Sequence, residues 1–278
     1  SVMKKKTSKN IRKFGLALSG GGARGFAHIG LLKVLDREKI KPSYLSGTSM
    51  GAIIAAAYAS GMSGKDIEEE AIKYTRTRNL VRMVHLTPPF KGLINQQKVA
   101  EYLSDMIPQG MRFDELRIPL AICATDLMQS RSISLTEGLV LPAVLASASI
   151  PGVFPPVVIP PYRLVDGGVV NNLPVDLAFQ LGAEKVVAVD VQINPFETTP
   201  WQDKHKEQKW SMPISEYIMD MLWSETIMSA RITQLNLKTY PPDIYIRMPI
   251  DKEITVLMGF PRAREIIDRG EETAEQYL

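Results

Sequence analysis

The stretch Tyr44-Leu45-Ser46-Gly47-Thr48-Ser49-Met50-Gly51 limits the fold more than any other part of the chain. It holds a G-x-S-x-G pattern. An apolar, strand-like approach precedes it and the small-residue run Ala52-Ile53-Ile54-Ala55-Ala56-Ala57 follows. A strand, a very sharp turn and a helix account for that order. Such a turn puts Ser49 in a strained backbone conformation with its hydroxyl exposed. Gly47 and Gly51 leave room where side chains would collide. The pattern alone is also met by a tight strand–helix turn whose serine merely caps the helix.

A second glycine-rich segment lies upstream. Phe14-Gly15-Leu16-Ala17-Leu18 reads as a short buried strand that runs straight into Ser19-Gly20-Gly21-Gly22-Ala23-Arg24-Gly25. Phe26, Ile29, Leu32 and Leu35 then recur at helical spacing. Strand, glycine loop and helix aim backbone N–H groups at an anion, either a nucleotide phosphate or the oxyanion of an acyl transfer. No Gly-Lys-Ser/Thr ending follows, and Gly20, Gly22 and Gly25 fit a dinucleotide fingerprint only loosely. The serine elbow downstream tilts the choice to an oxyanion hole.

The remaining periodicity points to layers. Leu120 to Thr125 and Lys185 to Val191 are core strands, and continuous apolar runs of this kind suit a sheet covered on both faces. Ser132 to Leu135 is a further strand, a small-residue helix spans about 141–149, and Ile150 to Pro156 forces a turn. Tyr162 to Val165 leads into Asp166-Gly167-Gly168, followed by a helix through Leu181. Ser63-Gly64-Lys65-Asp66 resembles a capping box and should open a helix to about Arg76. Residues 79–97 read as a surface loop, 96–106 as a helix, 243–250 as a last strand, and Ala263, Ile266 and Ile267 mark a terminal helix. The expected class is α/β, a three-layer sandwich with a mostly parallel central sheet. Residues 14–278 are expected to form one domain behind a basic, flexible tail at 1–13.

Composition narrows the function. A net charge of +3 makes no case for nucleic acid, and a single cysteine, Cys123, excludes an internal disulfide framework. No apolar stretch is long enough to span a bilayer, and Lys4-Lys5-Lys6 leads into polar residues rather than a signal peptide. The expected location is cytoplasmic. The basic tail adds a second reading, peripheral contact with anionic lipid at the inner membrane face.

A serine hydroxyl needs a base. His205 lies in a solvated charge run, where cationic neighbours would lower its basicity; His85 has no supporting pattern; and His28, after the glycine loop, is better suited to packing or hydrogen bonding. Asp166 remains. It ends an apolar strand, and burial would raise its pKa towards neutrality. Taken alone, Asp166 also suits a turn-forming Asp-Gly.

Three segments, Gly20-Gly21-Gly22-Ala23-Arg24-Gly25, Gly47-Thr48-Ser49-Met50-Gly51 and Asp166-Gly167-Gly168, resemble in order the signatures of the patatin-like phospholipase family. The Gly25 to Gly30 run and the Ala148 to Pro155 block are similar too. The resemblance implies a patatin-like fold and a Ser–Asp dyad, with Ser49 as nucleophile and Asp166 as base. It implies an oxyanion hole at Gly20, Gly21 and Gly22, with Arg24 as the basic residue of that motif or as a structural ion pair holding the loop. It further implies hydrolysis of lipid acyl esters through an acyl-serine intermediate, with no metal or cofactor. Non-catalytic lipid binding or regulation on the same fold is the alternative, and the oligomeric state stays open.

Residues 193–212 are the most irregular stretch. From Ile214 an apolar stripe runs through Tyr217, Ile218, Met221, Leu222, Met228, Ile232 and Leu235. It reads as a core-facing helix beside a loop, or, since all three tryptophans lie between 201 and 223, as an interfacial lid.

Overall fold

Strand β1 (Phe14–Leu18) is buried at every position, as a strand between two helical layers must be. Its residues alternate between two apolar clusters. Leu16 and Leu18 join the larger cluster, and Ala17 joins a smaller one on the opposite face. Strand β7 (Lys185–Asp190) divides in the same way, Val187 and Val189 against Val186 and Ala188. The structure is a computed structural model and describes residues 13–75, 96–197, 216–251, 254 and 259–277.

The other strands are β2 (Tyr44–Thr48), β3 (Leu120–Asp126), β4 (Arg131–Leu135), β5 (Val157–Ile159), β6 (Tyr162–Asp166) and β8 (Ile244–Arg247). Neighbours in the sheet run β5-β6-β3-β2-β1-β7-β8, with β4 also on β3. The run β3-β2-β1-β7-β8 is parallel, and the β3–β4, β3–β6 and β5–β6 pairs are antiparallel. Helices α1 (Ala27–Arg37), α2 (Met50–Ser60), α3 (Gly64–Thr75), α5 (Val140–Ser147) and α8 (Ala263–Tyr277) supply the larger cluster, and Leu103 at the end of α4 (Gln96–Leu103) joins it. Helix α6 (Val175–Gln180) covers the other face. This is the expected three-layer α/β sandwich with a mostly parallel sheet.

Local chemistry explains several boundaries. The Ser63 amide donates to Asp66 Oδ2 at 2.9 Å and the Asp66 amide to Ser63 Oγ at 3.1 Å, the reciprocal pair that starts α3. Ala263, Ile266 and Ile267 are buried, so α8 packs with the face its spacing predicts. Helix α7 (Glu216–Thr239) follows its expected stripe only in part. Met221, Met228 and Leu235 are exposed, whereas Leu222, Thr226, Ser229, Ala230 and Thr233 are buried. Small polar residues face inward because α7 covers a polar cleft, described below, rather than an apolar core. The basic tail, the loop expected from 79, His85, His205, Trp201 and Trp210 lie outside the described residues, apart from Lys13 and the α4 residues 96–97. No described helix is long and apolar enough to cross a membrane.

Candidate active site

Sheet register brings Ser49 and Asp166 together. Strand β4 lies along one edge of β3 from Ile122 to Asp126. On the other edge β2 pairs with β3 as far as Thr48↔Cys123, and β6 pairs from Leu164↔Asp126 to Asp166↔Ala124. Strand β2 runs parallel to β3 and β6 antiparallel, so their C-terminal ends meet head to head on one edge. The residue after Thr48 is Ser49, and the last residue of β6 is Asp166.

The turn at Ser49 is as sharp as the motif requires. Its φ of 54° and ψ of −122° lie where non-glycine residues are strained. Gly47 and Gly51 make the turn feasible. A Cβ on Gly47 would lie 2.7 Å from the carbonyl carbon of Gly51, and one on Gly51 would lie 2.6 Å from Ser19 O. The Ser49 amide donates to Ser147 Oγ at 2.8 Å, and that hydroxyl donates to Cys123 O at 2.5 Å. Helix α5 thus ties the strained residue to β3.

Ser49 Oγ donates to Asp166 Oδ2 at 2.6 Å. Asp166 Oδ1 accepts the Gly168 amide at 2.7 Å, and Thr125 Oγ1 donates to the Asp166 carbonyl at 2.9 Å. Gly167 lets the turn lie close to β3, since a Cβ there would sit 2.5 Å from Cys123 O. Burial pushes the Asp166 carboxyl up from its ordinary 3.8 to about 6, against the opposing pull of the Ser49 and Gly168 hydrogen bonds. A carboxylate in that range is ionised at neutral pH yet a far better proton acceptor than a solvated one.

The glycine loop follows β1, which pairs with β2, so both loops open at one end of the sheet. Not every amide in the loop faces the cleft. The Gly20 N–H donates to Asn172 O at 3.1 Å and the Arg24 N–H to Gly21 O at 3.2 Å. The first bond removes Gly20 from the expected donors, and the second keeps the Arg24 N–H inside the loop. Among the described residues the amides of Gly21 and Gly22 meet no acceptor. Asn172 Nδ2 also donates to Gly20 O at 3.3 Å, so one asparagine clasps the loop from both sides.

Arg24 is buried, and burial lowers its pKa to about 10, with Asp251 acting in the opposite direction. Among the described residues it makes no ion pair within bonding distance. His28 is fully buried and its Nε2 lies 2.8 Å from Ser19 O, in donor geometry. Burial depresses its pKa to about 4, so the imidazole is neutral and structural.

The cleft is lined by Gly20, Gly21, Gly22, Ser49, Asp166 and Gly168, with Arg24, Asn172 and Gln192 around them and Glu225, Thr226 and Ser229 of α7 as a roof. The free space is about 40 Å³. Burial, and then the charge of Asp166, raise the Glu225 carboxyl to about 7. Among the described residues no cluster of His, Cys, Asp or Glu could hold a metal ion. Ser147, Asn172 and Glu225 escaped sequence reasoning. Asn172 was open to notice in the Asn171-Asn172 pair beside the Asp166 motif, whereas Ser147 and Glu225 carry no pattern of their own.

Comparisons with known proteins bear on the family and the fold. The family model described as patatin-like phospholipase matches residues 16–179. The chain is 30% identical over 267 residues to the neuropathy target esterase sws of Drosophila melanogaster, covering 91% of this chain and 19% of that protein. It is 33% identical over 180 residues to the human patatin-like phospholipase domain-containing protein 6, covering 63% of this chain and 13% of that one. The chain therefore spans about a fifth or less of the length of these relatives. The crystal structure of VipD from Legionella pneumophila superposes with a TM-score of 0.53 at 14% identity, over 95% of this chain and 66% of that one, a likeness of fold. A match across more than half of its length, on a sheet of this topology, means that the chain belongs to the patatin-like phospholipase family.

Proposed function

We propose that the chain is a serine lipid acyl hydrolase of the phospholipase A, lysophospholipase or esterase type, working through a Ser49–Asp166 dyad. The observation that carries this reading is the 2.6 Å hydrogen bond from Ser49 Oγ to a buried carboxylate lifted towards neutrality. Family membership supports a lipid ester as substrate.

In the proposed cycle Asp166 takes the hydroxyl proton as Ser49 Oγ bonds to the ester carbonyl carbon. The amides of Gly21 and Gly22 hold the oxyanion. The carbonyl re-forms, the ester C–O bond breaks, and the alcohol leaves with the proton from Asp166. Water, deprotonated by Asp166, then attacks the acyl-serine. The fatty acid departs and Ser49 regains its proton. The free space of about 40 Å³ is room for a water molecule or two, and α7 roofs it. We also propose that 14–278 form one catalytic domain, which the single sheet from β1 to β8 supports.

The test is hydrolysis of a short p-nitrophenyl ester together with fluorophosphonate labelling. Wild type should be labelled at Ser49 and turn over. Ser49→Ala and Asp166→Asn should be folded and inactive. Full activity in either variant overturns the dyad. A wild type that is neither labelled nor active points to lipid binding without catalysis.

A further inference from the structure

Met128 and Val158 are the two most exposed large apolar side chains among the described residues, at 70% and 61%. Sheet register places them in one patch. Val158 of β5 pairs with Arg163 of β6, and the N–H of Leu127, just past β3, donates to Arg163 O at 2.9 Å. Val158, Arg163 and Leu127 therefore stand side by side across three strands, and Met128 is next in the chain. Leu127 is itself exposed. This row lies three residues, about 10 Å, beyond the Ala124↔Asp166 pair, at the end of the sheet where Ser49 lies. Hydrogen bonds fix the turn. Asp126, fully buried, accepts the Met128 N–H at 3.0 Å and the Arg163 N–H at 3.4 Å on one carboxylate oxygen. Ser130 takes a φ of 53° as the chain returns into β4. An apolar cluster held out on a fixed turn and rimmed by polar groups marks a docking surface.

Charge says what docks there. Arg131, at the foot of the turn, and Arg163, within the row, are both exposed. Segments 127–135 and 151–165 contain no Asp or Glu, and the carboxylate at the base of the turn, Asp126, is sealed inside. These two segments thus present apolar side chains and cations with no anion of their own. An uncharged apolar partner would be served by Leu127, Met128 and Val158 alone, and the arginines add a demand for negative charge. An anionic bilayer meets both demands, with hydrocarbon for the apolar side chains and negative surface charge for the guanidinium groups. We propose that the Leu127–Met128 turn, with Val158, Arg131 and Arg163, docks the chain on an anionic lipid surface. The choice of a bilayer over an acidic protein rests on the reading of the cleft as the site of a lipid acyl hydrolase.

The test is co-sedimentation with vesicles of diether phosphatidylcholine, with and without about a quarter of diether phosphatidylserine, lipids that carry no acyl ester to cleave. Wild type should bind the mixed vesicles about tenfold more tightly than the neutral ones. Leu127→Ser combined with Met128→Ser should weaken binding to the mixed vesicles by about tenfold or more. Arg131→Gln combined with Arg163→Gln should bring it down to the neutral-vesicle level. Leu139→Ser, an exposed position at the opposite end of α5 from Ser147, should change nothing. Insertion is read directly with a nitrobenzoxadiazole attached to Met128→Cys. Cys123 does not compete for the label, since it is buried and burial pushes its thiol up to about 12. The probe should brighten and shift to the blue on mixed vesicles, and the same probe on Leu139→Cys should not. No vesicle binding by wild type, unchanged binding in either double variant, or a silent probe at position 128 overturns the proposal. A mass in light scattering that falls in the Leu127/Met128 double variant while vesicle binding persists assigns the patch to a second copy and overturns it too. Turnover of the soluble p-nitrophenyl ester should be kept in both double variants. Docking without turnover in wild type refutes the hydrolase reading alone, and turnover without docking refutes this one alone.

Discussion

Replacing Asp166 by asparagine should abolish activity and stabilise the protein. The carboxyl titrates at about 6 in the fold instead of its ordinary 3.8, chiefly because it is buried. At about 1.4 kcal/mol per pKa unit, keeping it ionised costs the native state on the order of 3 kcal/mol. Asparagine has the same shape and no charge. It can accept the Gly168 N–H through its oxygen and turn its NH₂ to Ser49 Oγ, so neither hydrogen bond to the side chain is left without a partner. The sign follows from which state holds the proton. Between about pH 4 and 6 the unfolded chain has released this proton while the native protein retains it, so wild-type stability falls as pH rises. Above that window the penalty is constant, and below it the penalty vanishes. Asp166→Asn should therefore gain up to about 3 kcal/mol at pH 8, roughly 5–10 °C in Tm, and the gain should shrink towards zero near pH 4. Glu225, raised in part by the charge of Asp166, is relieved in the same direction. Urea unfolding at pH 4, 6 and 8 measures the effect. A variant no more stable than wild type at pH 8, or a gain independent of pH, would show that burial does not penalise this carboxylate.

The same shift predicts that kcat/KM for a neutral ester rises with pH through about 6 and then levels off; a flat profile down to pH 4 would remove Asp166 as the base. Ser49→Gly and Ser49→Ala both lack the hydroxyl, but only glycine tolerates a φ of 54° with a ψ of −122°, so Ser49→Gly should be the more stable by about 1 kcal/mol in chemical denaturation. Equal stabilities would mean that the elbow stores no strain. Ser147→Ala should lower stability by about 1–3 kcal/mol, because it leaves the Ser49 amide and the Cys123 carbonyl without their shared partner. It should also lower kcat more than it raises KM, and unchanged kcat would show that the elbow holds its shape unaided.

Sequence reasoning succeeded where a structural demand was local. Gly47 and Gly51 announce a turn that no other side chain fits. The buried runs at 14–18, 120–126 and 186–190 announce strands covered on both faces. Reading α7 as core-facing along Met221, Met228 and Leu235 failed because the stripe rule assumes that the buried side is the apolar side. Here the helix covers a polar cleft, and its threonine and serine residues turn inward.

The chain's own order of residues was enough for the elbow, the glycine loop, the strands of the layered class, and Ser49 and Asp166 as separate candidates, since each is written into a few consecutive residues. Three-dimensional packing had to settle which loop amides are open, that Ser147 and Asn172 brace the two loops, and that Arg24 and Glu225 line one cleft. These facts depend on contacts between segments far apart along the chain, such as β2 and β6 meeting on one edge of β3. Spacing cannot encode them, because hydrogen bonds and burial are properties of neighbours in space.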